Sequence, residues 1–182
     1  MPSSACKVLL CKGAAERNMR LDVGCGNNPT GNVNVDLFMN EKTLHLDSYK
    51  NRFIDAKRIL NPVKADVNHL PFRDNTFEEV YCGHVLEHLE NPTKGLLELI
   101  RFTKGKLIVV LPHRYHHGHK RAFKVGTHKH TFSSVSAKQW LERLKLPYGY
   151  SVTTTLKPRI FGSFIPLIQL PSEIHIEIWK EV

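Results

Sequence analysis

Short apolar runs rich in valine, isoleucine and leucine recur through the first two thirds of the chain, separated by polar segments. These runs predict strands over residues 20–24, 32–36, 62–65, 78–82 and 106–111. They lack a strict alternation of apolar and polar residues, which favours strands buried on both faces. Helical segments fall between several of them, and this order is typical of a parallel sheet covered by helices.

Two helices are indicated in this part of the chain. One lies between the second and third strands, where near-helical spacing links Leu46, Tyr49, Phe53 and Ile54. The other begins at Asn91 and Pro92, which suit an N-cap and a first helical residue, and Gly105 lies beyond its end. Its predicted apolar face consists of Leu96, Leu97, Leu99 and Ile100.

The last third of the chain has a different pattern. A helix is predicted over residues 136–144, entered through Ser133 and Ser134. Residues 150–156 and 174–178 alternate apolar and polar side chains, as antiparallel strands with one wetter face do, and Trp179 falls on that wetter face. We find no repeat, low-complexity segment or linker, and we expect a single domain over residues 1–182 with residues 1–18 as a candidate flexible segment.

Composition adds bounds on the class of protein. The 182 residues are 41% hydrophobic and 24% charged, as in ordinary globular proteins. No apolar run approaches the roughly 20 residues of a membrane span, and the first ten residues lack a signal-peptide core. The four cysteines show no metal-ligand pairing, so we expect reduced thiols and a cytoplasmic location. The pattern indicates no particular oligomeric state.

The positive charge is concentrated in one segment. Residues 99–141 contain nine basic side chains and no acidic one, which equals the whole net charge of +9. Six of the eleven histidines lie there too. Such a segment attracts anionic partners, for example RNA or a phosphorylated small molecule. A solvated basic loop is the alternative interpretation.

A glycine-containing turn follows the first strand. Asp22-Val23-Gly24-Cys25-Gly26 is followed by a second strand that ends on Asp36. Backbone N–H groups of such a turn can face the charged end of an adenosine-type cofactor, and a carboxylate can accept from both ribose hydroxyls. Pro29 stands where a dinucleotide fingerprint needs its third glycine. Only six residues separate Gly26 from Val33, too few for a crossover helix, so a turn of N–H groups is expected to replace the helix dipole.

Further motifs follow in order. Asp66 comes after the third predicted strand, the run Leu70-Pro71-Phe72-Arg73-Asp74-Asn75-Thr76-Phe77-Glu78 leads into the fourth, and Cys82-Gly83-His84-Val85-Leu86-Glu87-His88 follows it. Together with the glycine turn and Asp36, these motifs resemble the class I S-adenosylmethionine (SAM)-dependent methyltransferases, in particular the type 11 domain.

The resemblance implies a fold, a cofactor and a set of residues. The fold is an α/β, Rossmann-like, doubly wound sheet, mostly parallel with a C-terminal antiparallel strand. The cofactor is S-adenosyl-L-methionine. The positions that match the cofactor-binding residues of the family are Asp22, Gly24, Cys25, Gly26, Asn27, Asp36, Asp66, Val67, Gly83 and His84.

The segment after the fourth strand also matches a different motif. His84, Glu87 and His88 satisfy the H-x-x-E-H pattern of inverted zinc peptidases, with two histidine ligands and a glutamate base. The same string is typical of type 11 methyltransferases, so we predict no metal ion here. A histidine-rich metal site in the basic segment is a further alternative, disfavoured by its irregular spacing.

The acceptor and its activation are less defined. The segment after the fifth strand is placed to contact an acceptor, because ligands bind beyond the carboxyl ends of parallel strands. His84, His113 and Tyr115 are candidate bases, and Arg114 and Arg121 are candidate substrate contacts.

No Asn/Asp-Pro-Pro-Tyr motif follows the fourth strand, which argues against an exocyclic-amine nucleic-acid methylase and leaves oxygen, carbon or ring-nitrogen acceptors. Residues 128–133 are either a lid or a simple connector. The sequence thus predicts a methyltransferase with an unidentified acceptor, and the alternative is a non-catalytic SAM- or nucleic-acid-binding module.

Overall fold

The computed structural model describes residues 18–41, 53–115, 127–159 and 168–180. Seven strands form one sheet in the order β3-β2-β1-β4-β5-β7-β6. They are β1 (Arg20–Val23), β2 (Val33–Asp36), β3 (Pro62–Lys64), β4 (Phe77–Gly83), β5 (Thr103–Pro112), β6 (Gly149–Arg159) and β7 (Ile168–Trp179). The first five pair in parallel, and β7 runs antiparallel to both β5 and β6. This confirms the predicted fold class.

The strand order brings the carboxyl ends of four strands to one edge. The chain moves outward from β1 to β2 and β3, then returns to place β4 on the other side of β1. Val23 at the end of β1 pairs with Val35 of β2 and with Cys82 of β4, so these strands end nearly level. The reversal between β1 and β4 is the point where ligands of open parallel sheets bind.

Helix α1 (Pro92–Phe102) packs beside this edge. Asn91 caps it as predicted, because its side chain accepts from the amide of Lys94 at 3.0 Å. The helix buries Leu96, Leu99, Ile100 and Phe102, whereas Leu97, predicted on the same face, is 47% exposed. The chain enters β5 directly at Thr103, so Gly105 is part of that strand.

Helix α2 (Ser134–Leu144) starts two residues earlier than predicted. Ser133 and Ser136 form a reciprocal capping box, each side chain accepting from the other residue's amide. This cap fixes the start of the helix at Ser134 and explains the difference.

The helix predicted between β2 and β3 is wrong at its described end. Ile54 forms a parallel bridge with Met39, donates to Glu41 at 3.1 Å and accepts from Asn40 at 2.7 Å. Ile54 is also buried in a small apolar cluster with Met39, Cys25 and Ile59. Burial in this cluster overrides the helical spacing, and the only helical turn described nearby is a 3₁₀ turn at Ala56–Arg58. Leu46 and Tyr49 lie outside the described residues.

The closing strands are longer than their alternation predicted, but their faces are as expected. Ile174, Ile176 and Ile178 are buried, and Trp179 is 38% exposed. Of the candidate flexible segment, only residue 18 belongs to the described part of the chain. Among the residues that the structure describes, no helix combines the length and apolar character needed to cross a membrane.

Candidate cofactor and acceptor site

A cavity of about 530 Å³ lies at the carboxyl ends of β1 to β4. This volume is within the usual range for small-molecule sites. Of the residues predicted to bind the cofactor, the cavity is lined by Gly24, Asp36, Asp66, Val67 and His84. A second, more open cleft of about 460 Å³ lies at the opposite, amino-terminal edge, near Arg20 and Lys106. Ligands of parallel sheets bind at the carboxyl edge, so the first cavity is the candidate site.

Asp36 is held ready to accept hydrogen bonds. The residue is buried, and its Oδ2 accepts from the amide of Gly26 at 3.0 Å while Oδ1 accepts from the amide of Phe38 at 2.8 Å. Each carboxylate oxygen can accept two hydrogen bonds, so one acceptor position on each oxygen remains. The two amides fix the carboxylate plane, and the remaining positions suit a pair of neighbouring hydroxyls.

Gly24 brings backbone close to the loop after β4. Its φ of +74° is in the left-handed region, and an added Cβ would lie 2.2 Å from Cγ2 of Val85. No larger residue fits without moving Val85, which also lines the cavity. The glycine therefore sets the width of the cavity where β1 and β4 end.

The amides of the glycine turn are not directed at a ligand, contrary to the expectation from sequence. Gly24 and Cys25 both donate to the carbonyl of Val35, at 2.8 and 3.1 Å, and Gly26 donates to Asp36. Without a helix after the turn, these donors are satisfied by β2 and its terminal carboxylate. The predicted substitute for the helix dipole is therefore absent at these three amides, and Gly26 acts here by orienting Asp36.

Asp22 anchors the short loop that replaces the crossover helix. It is buried, and its Oδ2 accepts from both the amide and the hydroxyl of Thr30 at 2.8 Å. Gly31 packs against the main chain of β1, since an added Cβ would lie 2.8 Å from the amide nitrogen of Asp22. Asp22 therefore stabilises the loop that follows the glycine turn, and it is not among the residues that line the cavity.

Four other predicted cofactor residues also lie outside the lining: Gly26, described above, and Cys25, Asn27 and Gly83. Cys25 is buried in the cluster with Met39 and Ile54, and burial, together with the charges of Asp36 and Asp22, raises the pKa of its thiol to about 12. Asn27 is exposed and its Nδ2 donates to the carbonyl of Phe53 at 3.2 Å. Gly83 accommodates the ring of Tyr81, whose hydroxyl would lie 2.8 Å from an added Cβ.

The segment after β3 contributes one exposed acid and one buried apolar residue. Asp66 accepts at Oδ1 from the amide and the side-chain nitrogen of Asn68, at 2.8 and 2.9 Å. No described residue donates to its Oδ2. Val67 is 6% exposed and forms part of the core beneath. The pair thus offers an acceptor oxygen beside an apolar floor.

His84 follows β4 in a strained backbone conformation with φ of +56°. Its side chain lines the cavity, with Nδ1 3.5 Å from Oε1 of Glu87 and Nε2 3.7 Å from Oε1 of Glu173. The hydrogen bond and charge of Glu87, with the charge of Glu173, raise the pKa of His84 above its ordinary value despite burial. Of the three candidate bases, His84 is the one placed in the cavity.

The other two candidate bases are located elsewhere. His113 is 4% exposed, accepts at Nδ1 from the amide of Tyr115 at 3.3 Å, and pairs with Phe132. Burial, with the charge of Arg114, lowers the pKa of His113. Tyr115 is 54% exposed, and neither residue lines the cavity. His113 therefore joins two segments of the structure.

Residues 127–130 form one wall of the cavity. The amides of Lys129 and His130 donate to the carbonyl of Glu87 at 2.8 and 3.2 Å, and Thr127 and Lys129 line the cavity. The carbonyl of Thr127 accepts from Nδ1 of His88 at 2.7 Å. These contacts attach residues 127–130 to the loop after β4 as a wall of the cavity.

Most described basic residues of the acid-free segment are paired with acids from outside it. Arg101 contacts Glu98 and Asp74, at 2.7 and 2.6 Å. The remaining pairs are Lys104 with Glu78, Lys106 with Glu177, and Lys129 with Glu90. The charge separation along the sequence is therefore largely cancelled in space. Arg114 is exposed and stacks 5.6 Å from the ring of Tyr115, while Arg121 lies outside the described residues.

Sequence reasoning missed part of the lining: Leu37, Phe38, Ala65, Val85, His88, Leu89, Thr127 and Lys129. Leu37 and Phe38 directly follow Asp36, and an apolar pair after the acid was a usable signal. Thr127 carried none, because its position depends on how the chain returns after β5, whereas Lys129 belongs to the segment considered as a lid.

Comparisons with known proteins identify the class. A family described as a methyltransferase domain, type 11, matches residues 21–110. An uncharacterised protein of Methanocaldococcus jannaschii is 36% identical over 165 residues, which are 89% of this chain and 68% of that protein.

Solved structures share the fold. A SAM-dependent methyltransferase from Thermotoga maritima has a TM-score of 0.60 at 17% identity, covering 90% of this chain and 82% of that one. The magnesium protoporphyrin IX methyltransferase of Synechocystis PCC 6803, solved with bound S-adenosylhomocysteine (SAH), has a TM-score of 0.51 at 15% identity, covering 90% and 74%.

The fold, the site at the carboxyl edge and these matches define a nucleotide-cofactor enzyme of the α/β class. The chain belongs to the class I SAM-dependent methyltransferases and contains a type 11 methyltransferase domain. Its cofactor is S-adenosylmethionine. This confirms the family, the enzyme class and the cofactor expected from the sequence, and it disfavours the non-catalytic alternative.

Proposed function

We propose that the cavity at the carboxyl edge holds S-adenosylmethionine and that the chain transfers its methyl group to an acceptor bound against His84 and residues 127–130. In this arrangement Asp36 holds the ribose hydroxyls, Asp66 and Val67 hold the adenine, and Gly24 and His84 border the methionine end. Asp36 fits the cofactor, because a buried carboxylate with two remaining acceptor positions suits the vicinal diol of a ribose.

The orientation of Asp36 is the observation that carries this proposal. Two backbone amides hold the carboxylate at the end of β2, yet they use only one acceptor position of each oxygen. A buried carboxylate is costly unless further donors reach it. Neighbouring hydroxyls supply such donors and would be fixed in one orientation, so the rest of the cofactor is directed along the cavity.

When bound, S-adenosylmethionine would supply an electrophilic methyl group with the sulfide sulfur as leaving group, and the acceptor would give up one proton in exchange. The chain aligns the reacting groups and excludes water. Val85 and Leu89 form apolar lining for that purpose. His84 is the described candidate base nearest to the reacting groups in this arrangement.

Isothermal titration calorimetry with SAH tests the cofactor site. Asp36→Ala removes two charge-assisted hydrogen bonds, each contributing about 1.5–3 kcal/mol, so Kd should rise at least about 100-fold. Asp74→Ala, which removes an exposed carboxylate from the ion pair with Arg101, is the matched control and should leave Kd nearly unchanged. Absence of SAH binding to the wild type, or equal affinity of both variants, would refute the proposal.

The acceptor is proposed to be anionic, as RNA or a phosphorylated small molecule would be. Arg114 supports this, because it lies directly after β5, is exposed, and forms no ion pair with a described residue. Arg121 is proposed to act with it. Transfer of a labelled methyl group to fractionated RNA, protein, lipid and small molecules identifies the acceptor pool. Arg114→Ala should then raise KM with little change in SAH affinity, whereas Arg143→Ala, on the exposed face of α2, should not.

A cytoplasmic location is part of the proposal. Cys25 and Cys82 are both free thiols in the core, as expected in a reducing compartment.

A further inference from the structure

Glu87 is a fully buried carboxylate beside His88, which lines the proposed cofactor cavity. It lies in the single 3₁₀ turn Leu86–His88 that follows β4, and its side chain is 0% exposed. No described donor makes a well-formed hydrogen bond to either carboxylate oxygen, and the nearest one is Nδ1 of His84, 3.5 Å from Oε1. Burying an ionised carboxylate without donors is strongly unfavourable, so the fold is expected to retain it only beside a compensating positive charge.

Besides His84, two more histidines lie near this carboxylate. His88 places Nε2 3.9 Å from Oε1 of Glu87, and His128 lies beside His88 with a ring separation of 4.6 Å. The candidate ligand atoms of Glu87, His88 and His128 all lie within 4.8 Å of one another. A small inward movement of the rings brings three donors to the distances of one metal ion.

The tautomer of His88 and the backbone hydrogen bonds of Glu87 also favour a shared metal ion. The carbonyl of Thr127 can only accept, so the 2.7 Å contact means that Nδ1 of His88 carries the proton and Nε2 is the nitrogen directed at Glu87. Metal-bound histidines commonly donate their second nitrogen to a carbonyl in this way. The carbonyl of Glu87 accepts from the amides of Lys129 and His130, which holds His128 in place between Thr127 and Lys129.

We propose that Glu87, His88 and His128 bind one divalent transition-metal ion in the wall of the cavity. Two imidazoles and one carboxylate suit Zn²⁺, Fe²⁺ or Co²⁺ better than Mg²⁺ or Ca²⁺, which take oxygen ligands. The assignment differs from both sequence alternatives. Glu87 is a ligand and not a base, and His128 comes from a segment 40 residues beyond His88.

Three protein ligands leave coordination positions open, as in catalytic metal sites. Glu87 and His128 are buried, whereas His88 is partly exposed and lines the cavity, so an external ligand reaches the ion from the cavity side. On the proposed function, that ligand is an oxygen of the methyl acceptor. The ion would lower the pKa of a bound hydroxyl, so that His84 in the cavity can accept its proton; His113 and Tyr115 do not line the cavity.

Metal binding is measured first, on untagged protein stripped with EDTA, without any acceptor. Titration with Zn²⁺ and with Co²⁺, followed by elemental analysis and by the visible spectrum of the Co²⁺ protein, should show one ion per chain. Glu87→Gln and His128→Ala should each weaken binding by at least about 100-fold, the upper end of the loss seen for outer-shell partners. His69→Ala, which removes an exposed histidine near Lys94, is the matched control and should bind as the wild type does.

The competing explanation is that protonated histidines alone compensate Glu87. It predicts no stoichiometric ion in the wild type, or a Co²⁺ spectrum unchanged by Glu87→Gln and His128→Ala, and either result overturns the proposal. Circular dichroism checks that the variants fold. If Glu87→Gln does not fold, His128→Ala and the wild-type stoichiometry decide.

The open position and the dependence on the proposed function are tested on the same samples. Acetohydroxamate, a small oxygen chelator, should change the Co²⁺ spectrum, and an unchanged spectrum would overturn the acceptor-binding part. Calorimetry with SAH separates the two proposals. Metal binding without SAH binding contradicts only the cofactor site, and SAH binding without an ion contradicts only the metal site.

Discussion

Two glycines of one turn provide a sharp test of how the cavity is built. Gly24 and Gly26 both have positive φ, +74° and +53°. An added Cβ at Gly24 would lie 2.2 Å from Cγ2 of Val85, whereas at Gly26 nothing lies within 4 Å. Substitution by alanine therefore imposes similar backbone strain at both positions and a steric overlap at only one.

The magnitudes follow from these two contributions. Left-handed backbone costs an alanine about 1–2 kcal/mol, so Gly26→Ala should lower the free energy of unfolding by about that amount. Gly24→Ala adds overpacking of roughly 1–3 kcal/mol, because Val85 has to rotate or shift by about an ångström. The expected loss for Gly24→Ala is about 2–5 kcal/mol. Movement of Val85 into the cavity should also weaken SAH binding, which Gly26→Ala should do only slightly.

Urea unfolding and SAH calorimetry on both variants measure these differences, and Val85→Ala supplies the decisive third change. Removing Cγ2 should relieve the overlap, so the double variant with Gly24→Ala should recover most of the steric part, with a coupling free energy of about 1–3 kcal/mol. Equal destabilisation by Gly24→Ala and Gly26→Ala, or a double variant whose effects simply add, would refute the steric argument.

Two further predictions concern the residues beneath the cavity. Asp22→Ala should lower the free energy of unfolding by about 2–4 kcal/mol in urea titrations, because the amide and hydroxyl of Thr30 lose a buried charged acceptor. Thr30→Val should cost less, because the hydrogen bond from the backbone amide of residue 30 to Asp22 remains. If the two variants are equally stable, Asp22 does not anchor the loop. Burial holds the pKa of Cys25 at about 12, so the native thiol should resist iodoacetamide between pH 7 and 9 and react only after unfolding in urea. A thiol pKa raised on folding stabilises the protein below about pH 9 and loses that effect as pH rises towards 12. Rapid native labelling at pH 8, read by peptide mass spectrometry, would contradict the burial of Cys25.

The sheet was predictable because its signals are local. Each strand of the parallel part contains valine, and the predicted ranges differ from the observed strands by no more than three residues at either end. The cap at Asn91 is equally local, since one side chain and the next turn of helix decide it.

The failures come from contacts between distant segments. The spacing of Phe53 and Ile54 suggested a helix, but burial of Ile54 against Met39 and Cys25 draws that stretch into a bridge. The glycine turn suggested amides facing a ligand. Those amides instead find the carbonyl of Val35, because no helix follows to hold them in another direction. In both places tertiary partners outweighed the local pattern.

The surface charge of residues 99–141 also depends on contacts between distant segments. A segment with nine basic side chains and no acid suggested a concentrated positive surface. The described lysines and arginines at its start are paired with acids of β4, α1 and β7, because strand pairing brings Lys106 opposite Glu177 and Lys104 beside Glu78. Arg114 and Lys138 are the described cations of the segment for which the described residues offer no ion pair, and of these Arg114 follows β5, where the acceptor is proposed to bind.

The meeting of Glu87 with His128 follows from topology that the sequence contained only in part. β4 and β5 are parallel neighbours, with Gly83 paired to Val110, so the segments that follow both strands emerge at the same edge of the sheet. A parallel sheet predicted from apolar runs therefore implies that the histidines after β5 approach the H-x-x-E-H segment after β4.

The topology does not determine which of these histidines lies beside Glu87. That depends on the two amides of Lys129 and His130 finding the carbonyl of Glu87, which sets the register of the second segment against the first and leaves His128 beside the buried carboxylate. The two-segment contact explains why the zinc-peptidase alternative, which used one stretch of sequence, had Glu87 as a base, whereas burial of Glu87 near residues of both segments favours a ligand.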